Sequence, residues 1–201
     1  DQNRALVPLA EVPKVLIDAV IATEDKNFYE HDGLDVRAMG RAAVANAKEG
    51  EVEQGGSTIT QQLVKNTLLD SDRTVGRKLA EVQLALKLED RLGKDGILER
   101  YLNTVYFGQS TYGVRAASER YFGKPLDRLA LPEAALLAGL IASPESFDPF
   151  SDPDAARARR AHVLRRMTAE GAITADDAAA AGAAPLPTAP HSIDPAPLRS
   201  L

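Results

Sequence analysis

The chain has 201 residues and a mass of 21.5 kDa, enough for one large domain or two small ones that bury roughly 70% of the unfolded surface. At 44% hydrophobic and 26% charged residues, the composition excludes disordered, collagen-like and membrane-spanning classes. The formal charge of −5 comes without a dense Lys/Arg block, so nucleic acid is not expected as a partner, and zero cysteines exclude disulfides, thiolate zinc sites and cysteine nucleophiles.

Apolar residues recur at three- and four-residue steps in most windows, and alternating runs are almost absent, so the fold is expected to be mainly α. A first helix is predicted through Leu16, Ala19, Val20 and Thr23, and a second through Val36, Met39, Ala43 and Ala47. A polar loop with Gly50, Gly55 and Gly56 follows. Ser57 or Thr58 then caps a helix whose buried stripe is Ile59, Leu63 and Leu68. The next stripe is Val75, Leu79, Val82 and Leu86, ended by Gly93. A short helix carries Tyr101 and Leu102, a loop surrounds Gly108 and Gly113, and another helix spans Val114 to Tyr121. Pro132 marks a helix start, as does Asp152 with Pro153, which opens an Arg-rich helix stopping near Gly171. Thr174 with Asp177 opens the last helix. Five prolines from Pro185 onward read as a linker or extended tail. The longest apolar stretch, Ala134 to Ala142, is about half the roughly 20 residues of a membrane span, and Asp1 opens no signal peptide, so an export signal or anchor is expected outside this sequence.

Three clusters could carry chemistry. Glu24 and Asp25 sit together at a helix end, followed by Phe28, His31 and Gly33, which suits acid/base work; such acidic pairs also decorate solvated helix ends. In Gly55 to Asn66 the polar residues Ser57, Gln61 and Lys65 fall at i, i+4 and i+8 on one face. Glycines before a helix N-terminus, free N–H groups there and a lysine two turns on would suit an anionic oxygen such as a phosphate. A plain polar outer face accounts for the spacing equally well, and the pattern is not a nucleotide P-loop. Arg73, Arg77, Lys78 and Glu81 gather three cations and a carboxylate within about two turns, either as a surface ion-pair ladder or, if they share a cleft with Lys65, as a clamp for a diphosphate leaving group. The segment Lys94 to Asn103 and the aromatics up to Phe122 read mainly as core, with Asn103 capping a helix end or buttressing a site. The five arginines from Arg157 to Arg166 read as a solvated face, open to contact with anionic lipid.

Taken together, these segments resemble the peptidoglycan glycosyltransferase domain, glycosyltransferase family 51, of class A penicillin-binding proteins and monofunctional transglycosylases. The resemblance runs from Val12 to about Ala181 through five ordered motifs: Glu24-Asp25 with Phe28, His31 and Gly33; Gly55 to Asn66; Arg77-Lys78 with Glu81; Lys94 to Asn103; and Arg115 to Lys124. It implies a lysozyme-like helical fold over 1–184, with 185–201 as the proline-rich tail. The implied activity is polymerisation of lipid II, the undecaprenyl-diphosphate-linked disaccharide, onto a growing β-1,4-linked glycan chain. Glu24 matches the catalytic base and Glu81 the second carboxylate. Asp25, Phe28 and His31 match groups supporting Glu24, while Ser57, Thr58, Gln61, Lys65, Asn66, Arg73, Arg77 and Lys78, with Arg41 as an addition, match substrate-binding positions. No cofactor is required by the sequence, and a divalent cation such as Mg or Mn beside Glu81 is left open. The region from Leu34 to Gln54, with Val36, Met39, Ala42, Ala43 and Val44, would meet the membrane, or else form a buried helix face. The implied location is the extracytoplasmic face of the bacterial plasma membrane, with a transpeptidase domain or partner beyond this chain. A glycosidase or lytic transglycosylase, or a non-catalytic module that binds cell-wall precursors, are the competing readings.

Overall fold

The computed structural model describes residues 6–36, 40, 56–68 and 75–193, with side chains left undescribed at 68 and 75–79. Seven α-helices are described: α1 (Lys14–Glu24), α2 (Ile59–Leu68), α3 (Val75–Thr104), α4 (Val114–Phe122), α5 (Leu131–Leu140), α6 (Pro153–Ala169) and α7 (Ala175–Ala183). Among the described residues the β structure is limited to an isolated bridge between Tyr106 and Tyr112. The expected mainly helical class is therefore observed.

Helix α5 explains the layout. Its sequence is apolar on every side, a pattern that is stable only when surrounded, and residues from Ala134 to Leu140 are all buried. Helices α1 and α6 pack against it, and α7 packs on α6. The periodic residues Leu16, Ala19 and Val20 give α1 its buried face. Helices α2 and α3 form a second packed pair, which Phe28, Ile59, Leu63, Ile97, Leu98 and Tyr101 join to the same core.

Capping follows the sequence closely. Asp152 accepts the Ala155 N–H at the start of α6, and Thr174 and Asp177 exchange side-chain and backbone bonds at the start of α7. Gly93 breaks α3, as expected: its φ of 64° and ψ of 174° belong to a region open essentially to glycine alone. The turn between Gly108 and Thr111 has positive φ at both Gln109 and Ser110 and is tied by a 2.6 Å bond from Gln109 to Asp148.

Four expectations are corrected. Leu86 does not join a buried stripe on α3: it is 44% exposed, while Glu81 and Ala85 are buried. Second, only Arg157 and Arg165 of the five α6 arginines are exposed, so the solvated face is partial. Arg160 is buried and donates to the carbonyls of Gly182, Ala184 and Pro185, closing the C-terminus of α7, and Arg166 donates to Ala22 at the end of α1. Third, Asn103 neither caps a helix nor borders the site: its side-chain amide pairs with both backbone groups of Val7 and pins the N-terminal segment. Fourth, the described part of the proline-rich end, 185–193, is extended but fastened to the body. His191 exchanges backbone and side-chain bonds with Arg120, and a groove of about 360 Å³ lies between this segment and Tyr121, Phe122 and Glu133. The expected helix through Met39, Ala43 and Ala47 lies outside the described residues.

Candidate active site

Glu24 is the last residue of α1, and the core face of that helix carries its carboxylate inward. Its side chain is 10% exposed. One oxygen, Oε2, accepts a 3.0 Å bond from Gln62 on α2; the other, Oε1, lies 3.9 Å from the Arg159 guanidinium on α6. Gln62 is fixed in turn by the Tyr101 hydroxyl of α3, which donates to its Oε1 at 2.9 Å. The amide therefore has one orientation available, with its NH₂ toward Glu24. Burial pushes the Glu24 carboxyl above its ordinary value, aided by the negative charge of Asp25 and opposed by the Gln62 bond and the Arg159 charge. Burial likewise pushes the Tyr101 hydroxyl well up, so it stays a neutral donor.

Asp25 does not touch Glu24 through its side chain in any bond described here. It binds His31 Nε2 at 2.9 and 3.0 Å, and its Oδ2 accepts the Ile59 N–H at 3.0 Å. The Gly33 N–H donates to His31 Nδ1, so that nitrogen carries no proton and Nε2 donates to the carboxylate. Phe28 lies buried beneath, edge-on to the His31 ring, with the Lys94 ammonium 4.7 Å from its ring centre. Lys94 continues to Glu89, which also accepts the Thr60 hydroxyl. Gly33 is needed here twice: its φ is +84°, and a Cβ would lie 2.9 Å from Glu89 Cγ.

The N-terminus of α2 is not the open anion cradle anticipated from its glycines. The N–H of Thr58 goes to Gln61, that of Ile59 to Asp25, and that of Gln61 to the Thr58 hydroxyl. Asp25 supplies the negative charge favoured at this helix end. Nor do Ser57, Gln61 and Lys65 share an outer face. Gln61 is 1% exposed and engaged with Thr58, whose hydroxyl donates to Gly33, whereas Lys65 and Asn66 are exposed.

Glu81 is 3% exposed on α3, the helix that packs with α2, so the surface-ladder reading fails for it. Glu24 and Glu81 thus lie on two helices that both meet α2, the element with Gln62 near its start and Lys65 two residues short of Thr67. Arg77 and Lys78 fall on α3 within one turn before Glu81, but their side chains, like Arg41 and Arg73 altogether, lie outside the described residues. Sequence reasoning missed three residues in contact around Glu24: Gln62, Tyr101 and Arg159. Gln62 and Tyr101 carried a local signal only through their places in the second and fourth motifs, and Arg159 carried none.

A buried carboxylate fixed by one amide and approached by one guanidinium can accept a proton in a water-poor setting when it is ionised. The transglycosylase family profile matches residues 1–168. The chain belongs to the transglycosylase family. It is 47% identical over 174 residues to penicillin-binding protein 1A of Neisseria flavescens, covering 87% of this chain and 22% of that protein. Against penicillin-binding protein 1A of Aquifex aeolicus the identity is 49% over 173 residues, with 86% and 24% covered. Against penicillin-binding protein 1B of Vibrio cholerae it is 46% over 180 residues, with 88% and 23% covered. The crystal structure of penicillin-binding protein 1A from Haemophilus influenzae superimposes with a TM-score of 0.56 at 29% identity, covering 92% of this chain and 18% of that one. The chain spans less than a quarter of the length of these relatives. This transglycosylase domain has the lysozyme-like helical fold and the glycosyltransferase class expected from its motifs, and the hydrolase and non-catalytic readings are not favoured.

Proposed function

We propose that this domain polymerises lipid II into β-1,4-linked glycan by general-base displacement of undecaprenyl diphosphate. The observation that carries this reading is Glu24, a buried carboxylate held by Gln62 in the family's first motif. A sugar hydroxyl is a weak nucleophile, and a carboxylate that takes its proton as the new bond forms supplies typically 10²- to 10⁴-fold. Glu24 removes the proton of the acceptor's 4-hydroxyl, the oxygen attacks C1 of the donor sugar, and the bond from C1 to the diphosphate oxygen breaks. Attack from the opposite face turns the α-linked donor into a β-linked product. Burial raises Glu24 toward the pH at which a base transfers protons most effectively.

The departing diphosphate gains charge as it leaves. Lys65, Arg73, Arg77 and Lys78 are the cations assigned to it, Glu81 is the second carboxylate beside it, and Ser57, Asn66 and Arg41 complete the substrate-binding set, while the buried Thr58 and Gln61 shape the start of α2. Preset charges of this kind stabilise the transition state without reorganising. Asp25, Phe28 and His31 act indirectly, by fixing the entry to α2 and hence Gln62. A divalent cation such as Mg or Mn, if bound beside Glu81, would add positive charge at the departing diphosphate.

Val36, at the start of the region assigned to membrane contact, is 74% exposed, and Leu86 is a second exposed apolar side chain. These support work at the outer face of the plasma membrane, where a lipid-linked substrate is presented; none of the described helices is long and apolar enough to cross it. A transpeptidase domain elsewhere in the full-length protein is the partner that the much longer relatives suggest. The test is electrophoresis of glycan made from lipid II, with and without detergent. Polymer from the wild-type chain and none from Glu24→Gln supports the reading; equal polymer from both overturns it.

A further inference from the structure

Burying a base creates a conflict, because desolvation favours the protonated carboxyl, which accepts nothing. The groups facing Glu24 come from every neighbouring element. Asp25, next in the chain, adds negative charge; Gln62 of α2 gives one neutral hydrogen bond; Tyr101 of α3 stands behind Gln62 as a neutral hydroxyl. Helix α5, packed along α1, brings only the apolar run from Ala134 to Leu140. From α6 come Arg166, engaged with the Ala22 carbonyl, and Arg159. Arg159 supplies the positive charge that acts on the carboxylate.

Its position is built. The Arg159 Nε donates to the Gly139 carbonyl at 3.2 Å, the guanidinium lies 5.3 Å from the centre of the Phe147 ring, and the side chain is 17% exposed. Gly139 leaves the room required, since a Cβ there would come within 3.0 Å of Arg159 Cγ. The terminal nitrogen consequently stops 3.9 Å from Oε1, too far for a hydrogen bond and near enough for a strong charge interaction. Gln62 occupies the other oxygen.

We propose that Arg159 is a positioning residue that keeps Glu24 charged while leaving Oε1 open to receive the proton of the attacking hydroxyl. The proposal rests on Glu24 being the base. In the reaction the hydroxyl proton passes to Oε1 as the glycosidic oxygen bonds to C1 and the diphosphate departs with the electrons of the broken bond; the proton then leaves Glu24 for water. A direct hydrogen bond from arginine would compete for Oε1, and a missing cation would shift Glu24 toward its protonated form. The stand-off distance avoids both.

The experiment is the pH dependence of glycan synthesis from lipid II by wild type, Arg159→Lys and Arg159→Met, paired with carbon-13 NMR titration of the Glu24 carboxyl in the substrate-free protein. For Arg159→Met the expected result is an acid limb moved upward by about one pH unit or more, with the rate recovering at high pH, and a matching rise in the Glu24 titration. Arg159→Lys, which keeps the charge, should leave both near wild type. A limb unmoved in Arg159→Met, with rates lowered equally at every pH, means a purely structural arginine and overturns the proposal. If Arg159→Met does not fold, Arg159→Gln takes its place in both measurements. The titration needs no substrate: a Glu24 value that rises while no variant, wild type included, makes polymer defeats the proposed reaction and leaves the electrostatic role standing.

Discussion

The Oδ2 of Asp25 accepts the backbone N–H of Ile59 across 34 residues of chain, so the residue after the base closes the helix that delivers Gln62 to the base. Two neighbouring carboxylates thereby divide the work: Glu24 is the proposed base and Asp25 sets the geometry. Asp25→Ala should lower stability by about 2–3 kcal/mol, through loss of a helix cap and an orphaned His31 N–H, whereas Asp25→Asn, which keeps a carbonyl acceptor for Ile59, should lose about half as much. Chemical denaturation of the two variants checks the order.

Glu24→Gln should abolish polymer formation, a loss of about 10²- to 10⁴-fold, yet leave the domain more stable at neutral and alkaline pH. The sign follows from burial, which raises the folded carboxyl above 4.5. The protonated form's contribution is complete below 4.5 and disappears as pH rises through the folded value. Glutamine resembles the protonated form at every pH. Melting temperatures of variant and wild type should therefore converge near pH 4 and separate in favour of the variant by pH 8.

Tyr101→Phe removes one oxygen from the core and leaves Gln62 Oε1 without its donor. The expected cost is about 1–2 kcal/mol of stability. Glycan synthesis should fall about tenfold, because the Gln62 amide loses its single orientation. A rate equal to wild type would show that Gln62 is held by other means.

Most of the scaffold could be read directly from the sequence. Local rules decide Asp152 and Thr174 as caps, Gly93 as a break and the Leu16, Ala19, Val20 stripe as core, and all four stand as read. Where reading failed, the deciding contact was distant. Arg159 and Arg160 look alike in sequence, yet one meets Glu24 across 135 positions and the other closes a helix 22 residues on. Composition marks an arginine as a surface residue until a partner is known. Likewise the glycines before α2 suggested vacant N–H groups, because nothing near them in sequence announces that Asp25 fills the place.

Gly123 ends α4 with φ at +60°, and a Cβ there would stand 2.7 Å from His191 Nδ1. Gly123→Ala should therefore loosen the 185–193 segment and cost about 1–2 kcal/mol for the left-handed backbone. Limited proteolysis should cut that segment sooner in the variant while glycan synthesis stays unchanged, since the contacts of Gly123 and His191 involve none of Glu24, Gln62, Tyr101 and Arg159.

The break at Gly93 divides one long helix into two mechanical parts. Glu81 rides on the first part and Tyr101 on the second. The first part is buried at Glu81 and Ala85 and is tied to α2 through Glu89 and Thr60, so the bend at Gly93 sets where Glu81 stands relative to the Tyr101, Gln62 and Glu24 relay. One glycine thereby fixes the angle between the half of the helix that bears Glu81 and the half that bears Tyr101.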